Sequence, residues 1–220
     1  MLLHPDVQNC ATALSQRFAA AQPFKHVVID RFLDDQFCRE LMDQFPSFDR
    51  SHAVNESGEV GRKSAIPDLS RLGAPYRRFD DLMRTPEFLD LMGRITGIPK
   101  LLYDREYVGG GTHENLNGQE LDPHVDFNYH PRHRWHRRLN LIVFLNPQWD
   151  ASWGGCLELI RDPWALRESG SVECLLPIAN RAVIFKSTQF HKTDSFQFKT
   201  DYLSQRINIS LLFGQFGEDE

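Results

Sequence analysis

His124-Val125-Asp126 sets an imidazole and a carboxylate two residues apart, and on a β-strand two such side chains project from one face. Both are ligands for a divalent metal. A third ligand from a distant strand, His191, would complete a two-histidine, one-carboxylate face that leaves the other positions of the ion open. That face suits non-haem Fe(II), because a co-substrate and oxygen can both bind the metal directly. Spacing alone decides little. With nine histidines in 220 residues, about 0.7 His-x-Asp matches arise by chance. His4-Pro5-Asp6 is one of them; it sits in a polar stretch with a proline between its partners and no flanking strand, so it is set aside.

Other groups compete. His130, His133 and His136 recur every three residues, but Pro131 disfavours a helix there, and Arg132, Arg134, Arg137 and Arg138 would repel a cation. His113 reads as a loop residue near the metal rather than on it. Arg206 opens the last apolar run, where Arg206, Asn208 and Ser210 share one face and Ile207, Ile209 and Leu211 the other. A guanidinium fork at the mouth of a β-sandwich suits one carboxylate. The plain alternative is an edge-strand arginine in water, or one paired to an acidic neighbour. The arginine-rich run 132–138 leaves the strand that carries His124 and Asp126, which puts it at a pocket mouth. Arg132, Arg134 and Arg138 there would hold a substrate bearing a carboxylate, a phosphate or an acidic peptide flank. Against that stands a solvated loop, the usual state of exposed charge runs.

The elements that must position these residues fall into two parts. Residues 1–100 read as mostly helical support. A short strand covers 26–30, and Asp34 caps a helix that buries Phe37, Leu41, Met42 and Phe45 before Pro46 stops it. A second helix begins near Pro75, and Thr85-Pro86 opens a third that Gly97 closes. Residues 47–74 read as a polar loop and candidate lid. From 101 to 216 the pattern turns to short strands, at 101–108, 123–127, 139–146, 156–160, 172–176, 181–185 and 206–213, separated by Gly, Pro, Asn and Asp turns. That spacing predicts a sandwich or barrel within a single domain spanning 1–220.

In this setting the chain resembles the 2-oxoglutarate- and Fe(II)-dependent dioxygenases, in their prolyl-4-hydroxylase-like branch. The residues that carry the resemblance are His124-Val125-Asp126, the strand at 139–146, Trp153-Gly154-Gly155-Cys156-Leu157-Glu158-Leu159, the strand at 181–185, His191 and Arg206, with 23–33 at the N-terminal end. The resemblance implies a mainly β fold with α: a double-stranded β-helix (jelly roll) core and supporting N-terminal helices. It implies His124, Asp126 and His191 as Fe(II) ligands, and 2-oxoglutarate and O2 as co-substrates. It places Arg206 on the far carboxylate of 2-oxoglutarate, with Ser210 as a hydroxyl partner. Many relatives add a tyrosine to that carboxylate. Here Phe144 stands at the matching distance and cannot donate, which leaves Asn140, Tyr103 or Tyr107 as substitutes. The implied reaction is hydroxylation of a C–H bond in a small-molecule or peptidyl substrate. A cupin-like metal-binding module or a zinc hydrolase is the alternative reading.

Composition agrees with a folded globular domain: 41% hydrophobic and 25% charged residues supply a core, and a net charge of −5 argues against a nucleic-acid coat. No apolar run reaches membrane-spanning length. Four scattered cysteines without a CxxC pair, read as small buried hydrophobes, and an N-terminus without a signal-like apolar run lead to the expectation of a reducing, cytoplasmic setting.

Overall fold

The structure, a computed structural model, describes residues 2–54, 60, 63–118, 121–164, 171–193 and 205–217. Part of the expected lid, 55–59 and 61–62, lies outside the described residues.

The first half supplies helices α1 (Pro5–Asn9), α2 (Ala11–Ala20), α3 (Asp35–Asp43), α4 (Ala74–Met83) and α5 (Pro86–Thr96). Their ends follow local chemistry. Asp34 accepts from the amides of Gln36 and Phe37, Thr85 accepts from the Phe88 amide, and Gly97 closes α5 in the left-handed region at φ 72°. Strand β1 (His26–Ile29) leaves this layer to join a sheet.

Two antiparallel sheets make up the rest. The larger runs β1, β9 (Arg181–Lys186), β6 (His136–Phe144), β11 (Gln205–Gln215), β4 (Gly111–Leu116), β2 (Lys63–Ile66), with the two-residue β3 (Leu102–Tyr103) also paired to β11. The smaller runs β5 (Leu121–His124), β10 (Phe190–Thr193), β7 (Leu157–Ile160), β8 (Val172–Leu175). Alternation along the strands sorts their side chains. Leu139, Leu141, Val143, Ile184, Ile207 and Ile209 join the helices in the main core, while Phe144, Val183 and Phe185 meet Leu157, Leu159 and Leu175 between the sheets. Asn180, itself at φ 58°, bonds both backbone groups of Leu33 at 2.8 Å and so ties the helical layer to the start of β9. This is the jelly-roll core with helical support that the sequence implied.

Several boundaries differ from expectation. The strand foreseen at 101–108 shrinks to β3, because the Asp104 carboxylate accepts from the amides of Glu106 and Val108 and curls the chain into a turn. β2 arises inside the segment read as loop, and β4 and β10 arise where no strand was foreseen. β5 ends at His124, so Asp126 lies just past the strand rather than on its face. Cys156 and Cys174, expected to be free, form a disulfide that joins β7 to β8. They stand 18 positions apart in sequence, and the Glu158–Cys174 and Leu157–Leu175 register brings them together. The pairing runs against the reducing setting expected from their spacing, since disulfides are rare there. Cys10 is exposed and free, Cys38 buried and free. Among the described residues, no helix is long and apolar enough to cross a membrane.

Candidate metal centre and its anion pocket

His191 on β10 pairs directly with His124 on β5, which brings their rings to a centroid distance of 4.4 Å. Asp126 closes the group, with Oδ1 3.9 Å from His124 Nε2 and Oδ2 3.6 Å from His191 Nε2. The three ligand atoms lie within 4.8 Å of one another. The donor set fits a metal because the tautomers are fixed. His124 Nδ1 donates to the Asp122 carbonyl at 2.8 Å, and His191 Nδ1 to the Gln189 carbonyl at 3.1 Å. Both Nε2 atoms then carry their lone pairs toward the shared centre. Burial pushes the His191 pKa down, against the pull of the Asp126 carboxylate, and so favours the neutral ligand form.

Asp126 is held from behind. Its Oδ2 accepts from the Asn140 amide at 2.7 Å and forms an ion pair with Arg137 Nη2 at 3.1 Å, while Arg137 donates to Asn140 Oδ1 at 2.9 Å. Arg137 lies over the Phe127 ring at 4.5 Å and is buried, with burial lowering its pKa to about 10. Nothing in the residue pattern signals this role. A register shift between Phe213 and Gly214 makes Arg138 an extra residue on β6, which turns Arg137 onto the face of Asn140. The nearest sequence signal was only its place in the basic run.

A pocket between the sheets continues from the metal centre along β11 and β4, lined by Arg206, Asn208, Ser210, His113, Asn115 and Lys63 among others. Arg206 is 3% exposed, donates through Nε to the Gly155 carbonyl at 2.9 Å, and lies 5.1 Å over the Phe144 ring. Phe144 therefore acts as a platform for the guanidinium. Among the described residues no carboxylate pairs with Arg206, and burial lowers its pKa to about 10. His113 is held neutral, first by burial and then by Lys63 and Arg206. It lies on β4 and lines the pocket beside the candidate ligands.

The remaining candidates separate. Ser210 is in the pocket with its hydroxyl on Asn208 Oδ1 at 2.9 Å, and Asn140 lines it while bonded to Asp126. Tyr103 does not line the pocket: its hydroxyl donates to buried Asp80 of α4 at 2.8 Å, and Tyr107 donates to the same oxygen. Both tyrosines belong to the support layer because Asp80, with Arg84 against it, draws their hydroxyls away. Arg132, Arg134 and Arg138 are exposed and outside the pocket lining, and Arg132 pairs with Glu106 at 3.0 Å. Glu106, His130 and His133 make a second cluster of possible ligands. There, however, His130 Nδ1 accepts the backbone amides of Arg132 and His133 at 3.2 and 3.1 Å, which puts its proton on Nε2 and blocks ligation.

The 2OG-Fe(II) oxygenase superfamily model matches residues 110–213, a stretch that holds His124, Asp126, His191 and Arg206. That stretch is just under half of the chain, and over it the chain is similar to the superfamily. Mouse prolyl 3-hydroxylase OGFOD1 is 25% identical over 202 residues, covering 84% of this chain and 32% of that protein. This chain thus spans about a third of that relative's length. Two solved structures share the fold. A prolyl-4-hydroxylase from Pseudomonas putida matches at TM-score 0.63 and 17% identity over 94% of this chain and all of the other (100%). A Trichoplax adhaerens prolyl hydroxylase in complex with a hypoxia inducible factor peptide matches at TM-score 0.62 and 18% identity, over 94% of this chain and 90% of the other. Across the superfamily stretch, β11 and β10 carry the members of the site that lie farthest apart in sequence from His124.

Proposed function

We propose that this chain is an Fe(II)- and 2-oxoglutarate-dependent hydroxylase acting on a small-molecule or peptidyl substrate. The observation that carries the reading is Arg206: a buried cation without a carboxylate partner among the described residues, opening into the pocket of the His124, Asp126 and His191 group. A desolvated guanidinium in that state favours an anionic ligand. A cupin-like metal module or a zinc hydrolase has no need of such a group beside its metal.

In this reading His124 and His191 present Nε2, and Asp126 presents the carboxylate that Asn140 and Arg137 orient. Arg206 takes the far carboxylate of 2-oxoglutarate. Ile142 and Leu157 form apolar pocket wall and exclude water from it. The bound metal and co-substrate supply C–H oxidation, in which R–H, 2-oxoglutarate and O2 become R–OH, succinate and CO2. The prolyl hydroxylases among the similar proteins support a peptidyl substrate as the first class to screen. The exposed Arg132, Arg134 and Arg138 rank acidic peptide flanks early in that screen.

The test is Fe(II)-dependent release of succinate from 2-oxoglutarate. Asp126→Ala should abolish it. Arg206→Ala should weaken 2-oxoglutarate binding by about 30- to 1000-fold, with Arg206→Lys between the two proteins, because lysine keeps the charge but not the fork. Succinate release that persists undiminished in Asp126→Ala would remove the metal assignment.

A further inference from the structure

Lys63 comes from β2, the strand that arises inside the expected lid, and it lines the same pocket as Arg206. Register places it closely. Lys63 pairs with Asn115 of β4, and Asn115 pairs on its other side with Arg206 of β11. The three residues form one row across three adjacent strands, so their side chains leave the same face. The two basic residues stand two strand spacings apart, about 10 Å between backbones. The Lys63 side chain has no hydrogen bond or ion pair among the described residues. Burial lowers its pKa first, the nearby Arg206 lowers it further, and Asp126 pulls it back up.

The pocket is therefore unbalanced. Among the described residues, Lys63, Arg137 and Arg206 line it against the single carboxylate of Asp126, whose Oδ2 already accepts from Asn140 and is ion-paired with Arg137. Desolvated like charges this close need an anion between them. The groups expected to assist Arg206 are also engaged: Asn140 with Asp126, Ser210 with Asn208, and Tyr103 with Asp80. We propose that Lys63 is the second anchor of the far carboxylate of 2-oxoglutarate, sharing it with Arg206 across Asn115. The proposal rests on the oxygenase reading and names a specificity residue for its co-substrate.

Calorimetric titration of the Mn(II)-loaded protein under argon tests it, using 2-oxoglutarate and 2-oxovalerate, which has the same keto-acid end but no far carboxylate. Lys63→Met should weaken 2-oxoglutarate by about tenfold and leave 2-oxovalerate unchanged, while Lys63→Arg should stay within about threefold of wild type. Mn(II) affinity and melting temperature, measured on the same samples, report whether the variants stay folded and loaded. An equal loss for both acids, or less than about a twofold change for 2-oxoglutarate, overturns the proposal and leaves the oxygenase reading intact. Wild-type protein that binds Mn(II) but not 2-oxoglutarate overturns that reading, and this proposal with it.

Discussion

At the scale of single residues, the orientation of Asp126 gives a first prediction. Asn140→Ala should lower Mn(II) affinity by about 10- to 100-fold in a direct titration, the usual cost of losing a hydrogen bond behind a metal ligand. An unchanged affinity would mean that Arg137 alone holds the carboxylate. The candidate ligands His124, Asp126 and His191, and Arg206 beside them, were legible because their chemistry is rare in an apolar setting. Arg137 was hidden by a bulge, which reverses a face without leaving a mark in composition. Tyr103 was misplaced because its partner, Asp80, lies on a helix remote in sequence. Glu114 gives a second prediction. It lies on the opposite face of β4 from His113 and is 3% exposed, with Oε1 unpartnered and its pKa raised by burial to about 7. Because the folded-state pKa lies above the unfolded one, stability is full below about pH 4.5 and declines as pH rises through about 7. Glu114→Gln should therefore raise the melting temperature at pH 8, by an amount worth about 1–3 kcal/mol, and change little at pH 5. Equal melting temperatures for the two proteins at pH 8 would refute this.

At the scale of elements, helices were easier to read than strands. Asp34, Thr85 and Gly97 are local signals, and each sits where its helix starts or stops. β10 (Phe-His-Lys-Thr) and β4 (Gly-Thr-His-Glu-Asn-Leu) are polar and short, and they are strands because neighbours pair with them. β2 depends on one backbone position. Gly111 sits at φ +109°, and a Cβ there would collide with the Ile66 carbonyl and Pro67. Gly111→Ala should cost about 2–4 kcal/mol and push β2 away from β4. Thermal unfolding reads the first effect. The second should appear as a loss of 2-oxoglutarate affinity similar to that of Lys63→Met; tight binding in a destabilised Gly111→Ala protein would separate β2 from the pocket.

At the scale of the whole molecule, the helical layer and the sheets that carry the candidate metal site do separate work. The helices bury Tyr76, Phe79, Phe88 and Leu41 against one face of the large sheet, and the pocket opens on the other. Tyr103 belongs to the first layer. Tyr103→Phe should lower stability by about 1–2 kcal/mol, read by chemical denaturation, with no change in 2-oxoglutarate affinity. A selective loss of that affinity would return Tyr103 to the pocket. The bond between Cys156 and Cys174 belongs to the second layer, one residue from the Gly155 carbonyl that receives Arg206. That adjacency makes the choice of reductant part of the enzymology. Ascorbate keeps iron ferrous without exchanging with disulfides, whereas millimolar dithiothreitol attacks them. On the proposed reading, the two additives would present the incoming keto acid with a differently braced Arg206 guanidinium, and activities recorded in one buffer would not carry over to the other.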